Sequence, residues 1–202
     1  MLQPRFTEDV SGLPTCKFGP SSLTWWGIIG YMVIEGAAFA LAFAAYFFLM
    51  GHEQGWPPEG RLAPDVLAGT LFTILILLSE WPNTMIKKAA HGGDVPAIRR
   101  LMPVMVAVGA ALLIIRGFEF NSLNCRWTDN AYGSIVWALL LLHTAHILTD
   151  WLDTVVLWAL VRTPLAYEPR RQVDVDENSL YWRYVWLLWI PIYLMIYWVP
   201  RL

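Results

Sequence analysis

The stretch from Trp25 to Met50 is apolar throughout, apart from one ionisable residue, Glu35. A helix needs about 20 consecutive apolar residues to cross a bilayer, so this stretch predicts a membrane-spanning helix. Trp25 and Trp26 open it in the position of interfacial aromatic anchors. Glu35 falls near the middle, where a carboxyl group has to face protein or water rather than lipid. We therefore predict that other helices cover one face of this span.

Four more apolar stretches follow, and together they predict an all-α bundle of five transmembrane helices. Hydrophobic residues make up 57% of the 202 residues and charged residues 15%, and the mean hydropathy is +0.47. These values are typical of a multi-pass membrane protein rather than a soluble domain. We expect a surface leader over residues 1–24 and one transmembrane domain over 25–202. The predicted spans are residues 25–50, 66–86, 101–120, 131–161 and 180–199.

Basic residues predict the orientation of the bundle. We expect polar loops over residues 87–100 and 162–179, and both are richer in Lys and Arg than the two connections on the other side. Loops of this kind face the cytoplasm, which places the amino terminus in the cytoplasm and the carboxyl terminus outside. Pro82 is expected to kink or end the second helix. The net charge of -2 and the lack of a basic cluster give no indication of nucleic acid binding.

The fourth span carries a polar stripe, because four ionisable residues recur at spacings of three, four and three and so share one helix face. These residues are His143, His146, Asp150 and Asp153. A metal site is one interpretation, although the Glu-x-x-His pattern of di-iron bundles is missing. A haem site would need a second histidine, but His52 and His91 fall in predicted loops. The third interpretation is a buried, hydrogen-bonded seam.

The other intramembrane charges need partners of their own. Arg116 and Glu119 are three residues apart and are expected to pair on the third span. Glu35 lies at a depth that allows a contact with His143 or His146. It is interpreted either as a buried acid that stabilises the bundle or contacts lipid, or as a proton-handling group. Glu80 in the second span has no predicted partner.

Four segments in order resemble subunit III of the haem-copper respiratory oxidases. The first span resembles that family's Trp-rich helix with an internal glutamate, and the third resembles a segment that ends in a Glu-aromatic pair. The fourth resembles a Tyr-Gly-Ser…His-x-x-His helix, and the fifth resembles a Tyr-Trp-His-Phe-Val-Asp opening. The matching segments here are residues 25–49, Arg116-Gly-Phe-Glu119-Phe120, Tyr132-Gly-Ser…His143-Thr-Ala-His146 and Tyr181-Trp182-Arg183-Tyr184-Val185-Trp186.

The resemblance implies the five-span form of an accessory subunit in a cytochrome c-type oxidase of the bacterial cytoplasmic membrane. It implies that haem and copper belong to subunits I and II, that this chain holds neither cofactor nor metal, and that it has no catalytic residue. It further implies packing against subunit I, phospholipid binding and support of electron-transfer-coupled proton uptake. The expected lipid-binding or buried polar residues are Glu35, Trp25, Trp26, His143, His146, Arg116, Glu119, Tyr181, Trp182 and Arg183.

Alternatives remain at this level. Arg183 stands where the family usually has histidine, and Asp150 where a glycine often follows the two histidines. A subunit III-like protein of a quinol oxidase or of a nitric oxide reductase complex is therefore a second interpretation. A free-standing metal enzyme that uses the polar stripe is a third. A transporter with Glu35 and Glu80 as proton carriers is disfavoured, since the sequence contains no internal repeat.

Overall fold

The computed structural model describes residues 16–58 and 62–202. Within them the chain forms five long helices: α1 (Leu23–Met50), α2 (Val66–Gly92), α3 (Val95–Asn121), α4 (Ala131–Leu160) and α5 (Pro169–Tyr193). A π-helical turn over Leu194–Trp198 and a 3₁₀ turn over Val199–Arg201 continue the path of α5. All five are long and apolar enough to cross a membrane, and the described residues contain no strand. The prediction of an all-α, five-span bundle is confirmed, while most of the proposed leader lies outside the described residues.

The core lies among α2, α3, α4 and α5, and α1 is attached at one side. α2 packs most extensively against α3 and α5, and α4 joins α3 to α5. α1 contacts α4 and α5 and buries only Met32, Phe39 and Tyr46 among its 28 residues. Much of α1 therefore faces outward, where lipid or another protein surrounds it.

The prediction of a loop over residues 87–100 is wrong, since only two residues separate α2 from α3. Gly93 ends α2 in the left-handed conformation, with φ of 66°, which glycine adopts without a steric penalty. Asp94 then caps α3 by accepting a hydrogen bond from the Ala97 amide at 3.0 Å. The Lys, Arg and Ala residues on either side are good helix formers, so they extend both helices beyond the apolar spans. His91, expected in a loop, lies in the last turn of α2.

The predicted loop over residues 162–179 is also largely helical. A 3₁₀ turn covers Pro164–Tyr167, and α5 begins at Pro169. Proline suits the first position of a helix because its missing N–H needs no partner there. The polar sequence that follows does not form a loop, because Val173 and Val175 are buried against the bundle.

Pro82 does not end α2, which continues to Gly92. Proline removes one backbone hydrogen bond, but membrane helices tolerate this where neighbouring helices hold the segment. Two contacts with α5 do so on either side of the proline. The indole of Trp182 donates to the Ser79 hydroxyl at 2.9 Å, and the Asn83 amide donates to the Ser179 carbonyl at 3.1 Å.

Candidate functional site

A closed cluster of charged and aromatic groups lies in the bundle core. Arg116 donates to Glu119 Oε2 at 2.7 Å, one helical turn away on α3. The Tyr197 hydroxyl donates to the other oxygen of Glu119 at 2.5 Å. Arg116 is 1% exposed, and Glu119 and Tyr197 are fully buried. The expected pair on the third span therefore exists, and a tyrosine from the far end of the chain completes it.

Aromatic rings enclose the guanidinium group of this pair. The Arg116 Cζ atom lies 3.8 Å from the centre of the Phe72 ring and 4.4 Å from that of Trp189. Cations over aromatic faces are attracted by the ring quadrupole, most strongly where water is excluded. The Trp189 indole is fixed in turn by its hydrogen bond to the Thr73 hydroxyl at 2.8 Å. The arrangement offsets part of the cost of burying two charges.

A glycine allows Tyr197 to reach this cluster. A Cβ atom on Gly69 would collide with the ring of Tyr197, so α2 and the turn that follows α5 approach closely only because this position has no side chain. The sequence does not reveal this contact, since the two residues are far apart along the chain.

His143 joins the same cluster through both ring nitrogens. Its Nδ1 atom lies 3.0 Å from Nη2 of Arg116, and a guanidinium group can only donate. Nδ1 is therefore the acceptor and the proton is on Nε2, which lies 3.1 Å from the Val185 carbonyl and donates to it. His143 is a neutral imidazole with both nitrogens engaged. Neither nitrogen is available to a metal in this arrangement.

A second polar cluster contains Glu35 of α1, His146 of α4 and Tyr181 of α5. Of the two contacts considered for Glu35, the structure has the one with His146, whose Nε2 atom lies 3.0 Å from Glu35 Oε1. The Tyr181 hydroxyl donates to Glu35 Oε2 at 2.8 Å. The Nδ1 atom of His146 lies 2.5 Å from the Leu142 carbonyl. Only 11% of the Glu35 side chain is exposed, so the acid is turned into the protein and attaches α1 to α4 and α5.

The remainder of the polar stripe on α4 lines a cavity of about 420 Å³ between α1, α4 and α5. Asp150 and Asp153 are joined there by Asn178, whose amide nitrogen lies 3.2 Å from one carboxylate and 3.0 Å from the other. Tyr181 also lines the cavity, which links it to the Glu35 cluster. The four stripe residues thus share a helix face but belong to three different environments.

Sequence reasoning missed an ion pair between Glu80 of α2 and Arg183 of α5. Arg183 donates to Glu80 through Nε at 2.7 Å and through Nη2. Thr84 and Asn83 donate to the same carboxylate at 3.1 and 3.0 Å. The arginine side chain is 38% exposed. The sequence feature that could have revealed this ion pair is the occurrence of two opposite charges within apolar spans, where each charge needs a partner.

The three predicted tryptophans lie in different surroundings. Trp182 is buried and bonded to Ser79. Trp25 is half-buried and packs edge-on against Trp26 with ring centres 5.0 Å apart. Trp26 is 56% exposed and donates to the Pro20 carbonyl at 3.0 Å. An exposed indole at a helix start is typical of a membrane interface.

The described part of the chain contains no group of three or more His, Cys, Asp or Glu side chains placed to hold a metal ion. His52 contacts the Phe48 carbonyl through Nδ1 at 2.8 Å, and His91 contacts Asp176 through Nε2 at 2.9 Å. All four histidines thus have polar protein neighbours. The contact between His91 and Asp176 also connects the end of α2 to α5.

Comparison with known proteins relates the whole bundle to one family. Residues 19–200 match the family model described as cytochrome c oxidase subunit III. The chain is 26% identical to cytochrome c oxidase subunit 3 of Synechocystis sp. over 89% of this chain and 77% of that protein. It is 25% identical to the subunit 3 of Thermostichus vulcanus, over 87% of both chains.

A probable cytochrome c oxidase subunit 3 of Nocardia farcinica is 30% identical, over 86% of both chains. This family is an accessory subunit of the haem-copper oxidases and works within a complex with other oxidase subunits; its members are generally cofactor-free. The match extends from the turn before α1 to the turn after α5 and so includes each polar cluster described above. The chain belongs to the cytochrome c oxidase subunit III family and is a multi-pass membrane protein.

Proposed function

We propose that this chain is the cofactor-free subunit III of a cytochrome c-type terminal oxidase and packs against subunit I. The observation that carries the proposal is the closed arrangement around His143. Both of its nitrogens are engaged by Arg116 and Val185, whereas an axial haem ligand or a metal ligand needs a free nitrogen lone pair. Catalysis then resides in subunits I and II, and this chain supports them.

Phospholipid binding is the second part of the proposal. Large apolar side chains cover the outward faces of the bundle, including Val33, Ile34 and Leu41 of α1, which are 67%, 71% and 73% exposed. Such faces suit acyl chains or the helices of another subunit. The cavity between α1, α4 and α5 offers polar groups beside apolar walls, as a lipid headgroup and its chains require.

Support of proton uptake is the third part. The Tyr181 hydroxyl, the Glu35 carboxylate and the His146 imidazole form a continuous line of polar contacts at 2.8 and 3.0 Å. Tyr181 lines the cavity, and its hydrogen bond to Glu35 supports a proton path from the cavity to this carboxylate. The Nε2 atom of His146, which is buried without a hydrogen-bond partner among the described residues, ends the line. The line favours a role for Glu35 beyond attachment of α1.

Charge supports the proposed orientation, and the relatives support the proposed location. The basic residues near the α2–α3 and α4–α5 connections are at the same end of an antiparallel bundle, and they comprise Lys87, Lys88, Arg99, Arg100, Arg162, Arg170 and Arg171. This end faces the cytoplasm by the positive-inside rule, so the amino terminus is cytoplasmic. Bacterial relatives of similar length favour the bacterial cytoplasmic membrane.

Purification of this chain from its native membrane in mild detergent tests the proposal. We expect the chain to arrive with a large haem-bearing subunit and a copper-bearing subunit, and the optical spectrum of the complex to identify the oxidase type. After separation of the subunits, this chain should carry no stoichiometric iron or copper. A chain that arrives alone with bound transition metal would contradict the proposal.

A further inference from the structure

The ion pair between Glu80 and Arg183 lies on the outward surface of the bundle, at a depth that the membrane covers. The two side chains are 21% and 38% exposed. Lys87, the first basic residue of α2, lies about 10 Å further along the helix axis at 1.5 Å per residue. Charged groups that face lipid at such a depth are costly. Their exposure therefore indicates that another protein covers this part of the surface.

Arg183 supplies an independent sign of a missing neighbour. Its Nε and Nη2 atoms donate to Glu80, and Nη2 also lies 3.2 Å from the Thr84 hydroxyl. Its Nη1 atom has no acceptor among the described residues. A guanidinium group has five N–H donors and no acceptor, and a donor left unpaired away from water is unfavourable. An acceptor from outside this chain would complete the group.

The guanidinium group is held in place and cannot extend to the membrane surface. Long basic side chains often reach the headgroups in that way, but here the move would break the bonds to Glu80 and Thr84. Glu80 is itself held within α2, because Asn83 and Thr84 donate to its carboxylate at 3.0 and 3.1 Å. The acceptor therefore has to come to Arg183, as a side chain of a membrane-spanning helix does.

The apolar residues beside the ion pair have the spacing of a helix-packing seam. Leu187, Ile190 and Leu194 follow Arg183 along α5 at spacings of four, three and four, and they are 50%, 41% and 50% exposed. Apolar residues at alternating spacings of three and four pack against one further helix. With the neighbouring part of α2 they form a surface that we call the α2–α5 face, and it comprises Leu77, Glu80, Arg183, Leu187, Ile190 and Leu194.

The α2–α5 face is narrow. α2 and α5 pack directly on each other, since Thr70 contacts the Tyr193 hydroxyl at 2.9 Å and the Trp189 indole donates to Thr73 at 2.8 Å. The outward groove between two such helices accepts one helix. α1 buries few of its residues and presents a broader surface, which suits a large subunit. The narrow face therefore fits a subunit with a single span.

We propose that the α2–α5 face docks the one membrane-spanning helix of a small oxidase subunit other than subunit I. This helix carries an amide or hydroxyl oxygen that accepts a hydrogen bond from Nη1 of Arg183. The acceptor is uncharged, because the Glu80–Arg183 pair is neutral as a whole and a third charge in the membrane would need a partner of its own. The inference goes beyond the proposed function and rests on it only for membership of an oxidase complex.

Photocrosslinking in the intact complex in its native membrane tests the partner. A benzophenone amino acid is placed at position 187 or, in a second variant, at position 77, and the linked peptides are identified by mass spectrometry. We expect both positions to link to the same span of one single-span subunit, with Asn, Gln, Ser or Thr at the level of Arg183. The control is position 114, since Ile114 is 62% exposed on α3, and it should not link to that subunit.

Arg183→Lys tests the hydrogen bond. Lysine retains the charge that Glu80 needs but lacks the fork with which arginine serves two partners at once. We expect the fraction of complexes that retain the small subunit after a detergent wash to fall about tenfold, the ratio that one hydrogen bond to a charged group supplies. Arg170→Lys, the same exchange at an exposed residue near the start of α5, should leave retention unchanged.

The outcomes separate this inference from the proposed function. Crosslinks from position 187 to subunit I, or to phospholipid alone, would overturn the inference, and so would a linked span without a polar side chain at the level of Arg183. Unchanged retention in Arg183→Lys would also overturn it. A chain that purifies without a haem-bearing subunit would contradict the proposed function, whereas a complex that contains subunit I but leaves the α2–α5 face uncovered would contradict only the inference.

Discussion

The Arg116–Glu119 cluster and the Asp150–Asp153 cavity are both polar, and both lie among helices that cross the membrane, yet their carboxylates are paired differently. In the first, each carboxylate oxygen of Glu119 has its own donor, from Arg116 and Tyr197. In the second, one amide of Asn178 serves two carboxylates, and an oxygen of Asp150 has no donor. The two regions therefore differ in how their carboxylates are paired, although the Nε atom of Arg116 in the first is also buried without a hydrogen-bond partner.

Arg116→Leu should have the largest effect, because it leaves Glu119 buried without its cation. Loss of one partner of a buried ion pair costs about 3–5 kcal/mol. We expect a large fall in the thermal unfolding midpoint of the purified complex, or loss of the chain from the membrane. The double variant Arg116→Leu/Glu119→Leu removes both charges and should be less destabilised than the single one. Equal damage in both would show that the charges are not the cause.

Tyr197→Phe should have the next largest effect, since it removes the donor from Glu119 Oε1 and retains the ring. A buried charged acceptor left unpaired costs about 1–3 kcal/mol. Tyr193→Phe is the matched control, because that hydroxyl contacts Thr70 at 2.9 Å in a partly buried position. Unfolding of the two variants, followed by circular dichroism, should show the larger loss for Tyr197→Phe, and the reverse order would contradict the description of the core cluster.

Glu35→Gln tests the second polar cluster, in which Glu35 contacts His146 and Tyr181, and should have a smaller effect on stability than Tyr197→Phe. The amide retains an acceptor for Tyr181 but removes the carboxylate beside His146, so we expect a loss of stability of about 1 kcal/mol. The rate of oxygen reduction coupled to proton uptake should fall more than this stability change explains. If reconstituted complex with this variant takes up protons at the wild-type rate, Glu35 serves only to attach α1.

Asp153→Asn should have the smallest effect on stability. The residue is exposed, and substitutions at such positions usually change the free energy of unfolding by about 0.5 kcal/mol or less. Thermal unfolding should therefore match the wild type within that range. A large destabilisation would mean that the cavity wall is part of the structural core, and the distinction between the two regions would be lost.

The sequence predicted the number of helices and the pairing of Arg116 with Glu119, because apolar length and a spacing of three residues are local properties. It did not predict where α2 ends or where α3 and α5 begin, since the turn at Gly93 and Asp94 and the start at Pro169 lie in polar sequence. Polarity there reflects the membrane surface and not the absence of helix.

The division of the polar stripe on α4 was also beyond local reasoning. His143 and Asp153 are about 15 Å apart along the helix at 1.5 Å per residue, so different neighbours meet them. His143 meets Arg116 of α3, His146 meets Glu35 of α1, and Asp153 meets Asn178 of α5. The prediction that the four residues share one face of α4 was correct, but the partners of each residue depend on packing between distant segments of the chain.

The two-residue connection at Gly93 and Asp94 has a consequence for how the bundle is assembled. Closing a short loop costs little chain entropy, and contacts between neighbours in sequence form fastest. α2 and α3, whose mutual packing is the most extensive in the bundle, can therefore associate as a helical hairpin soon after they are synthesised. The fifth helix then docks onto a surface that already exists. Its Trp189 covers Arg116, which the hairpin has already positioned, and Tyr197 in the following turn donates to Glu119.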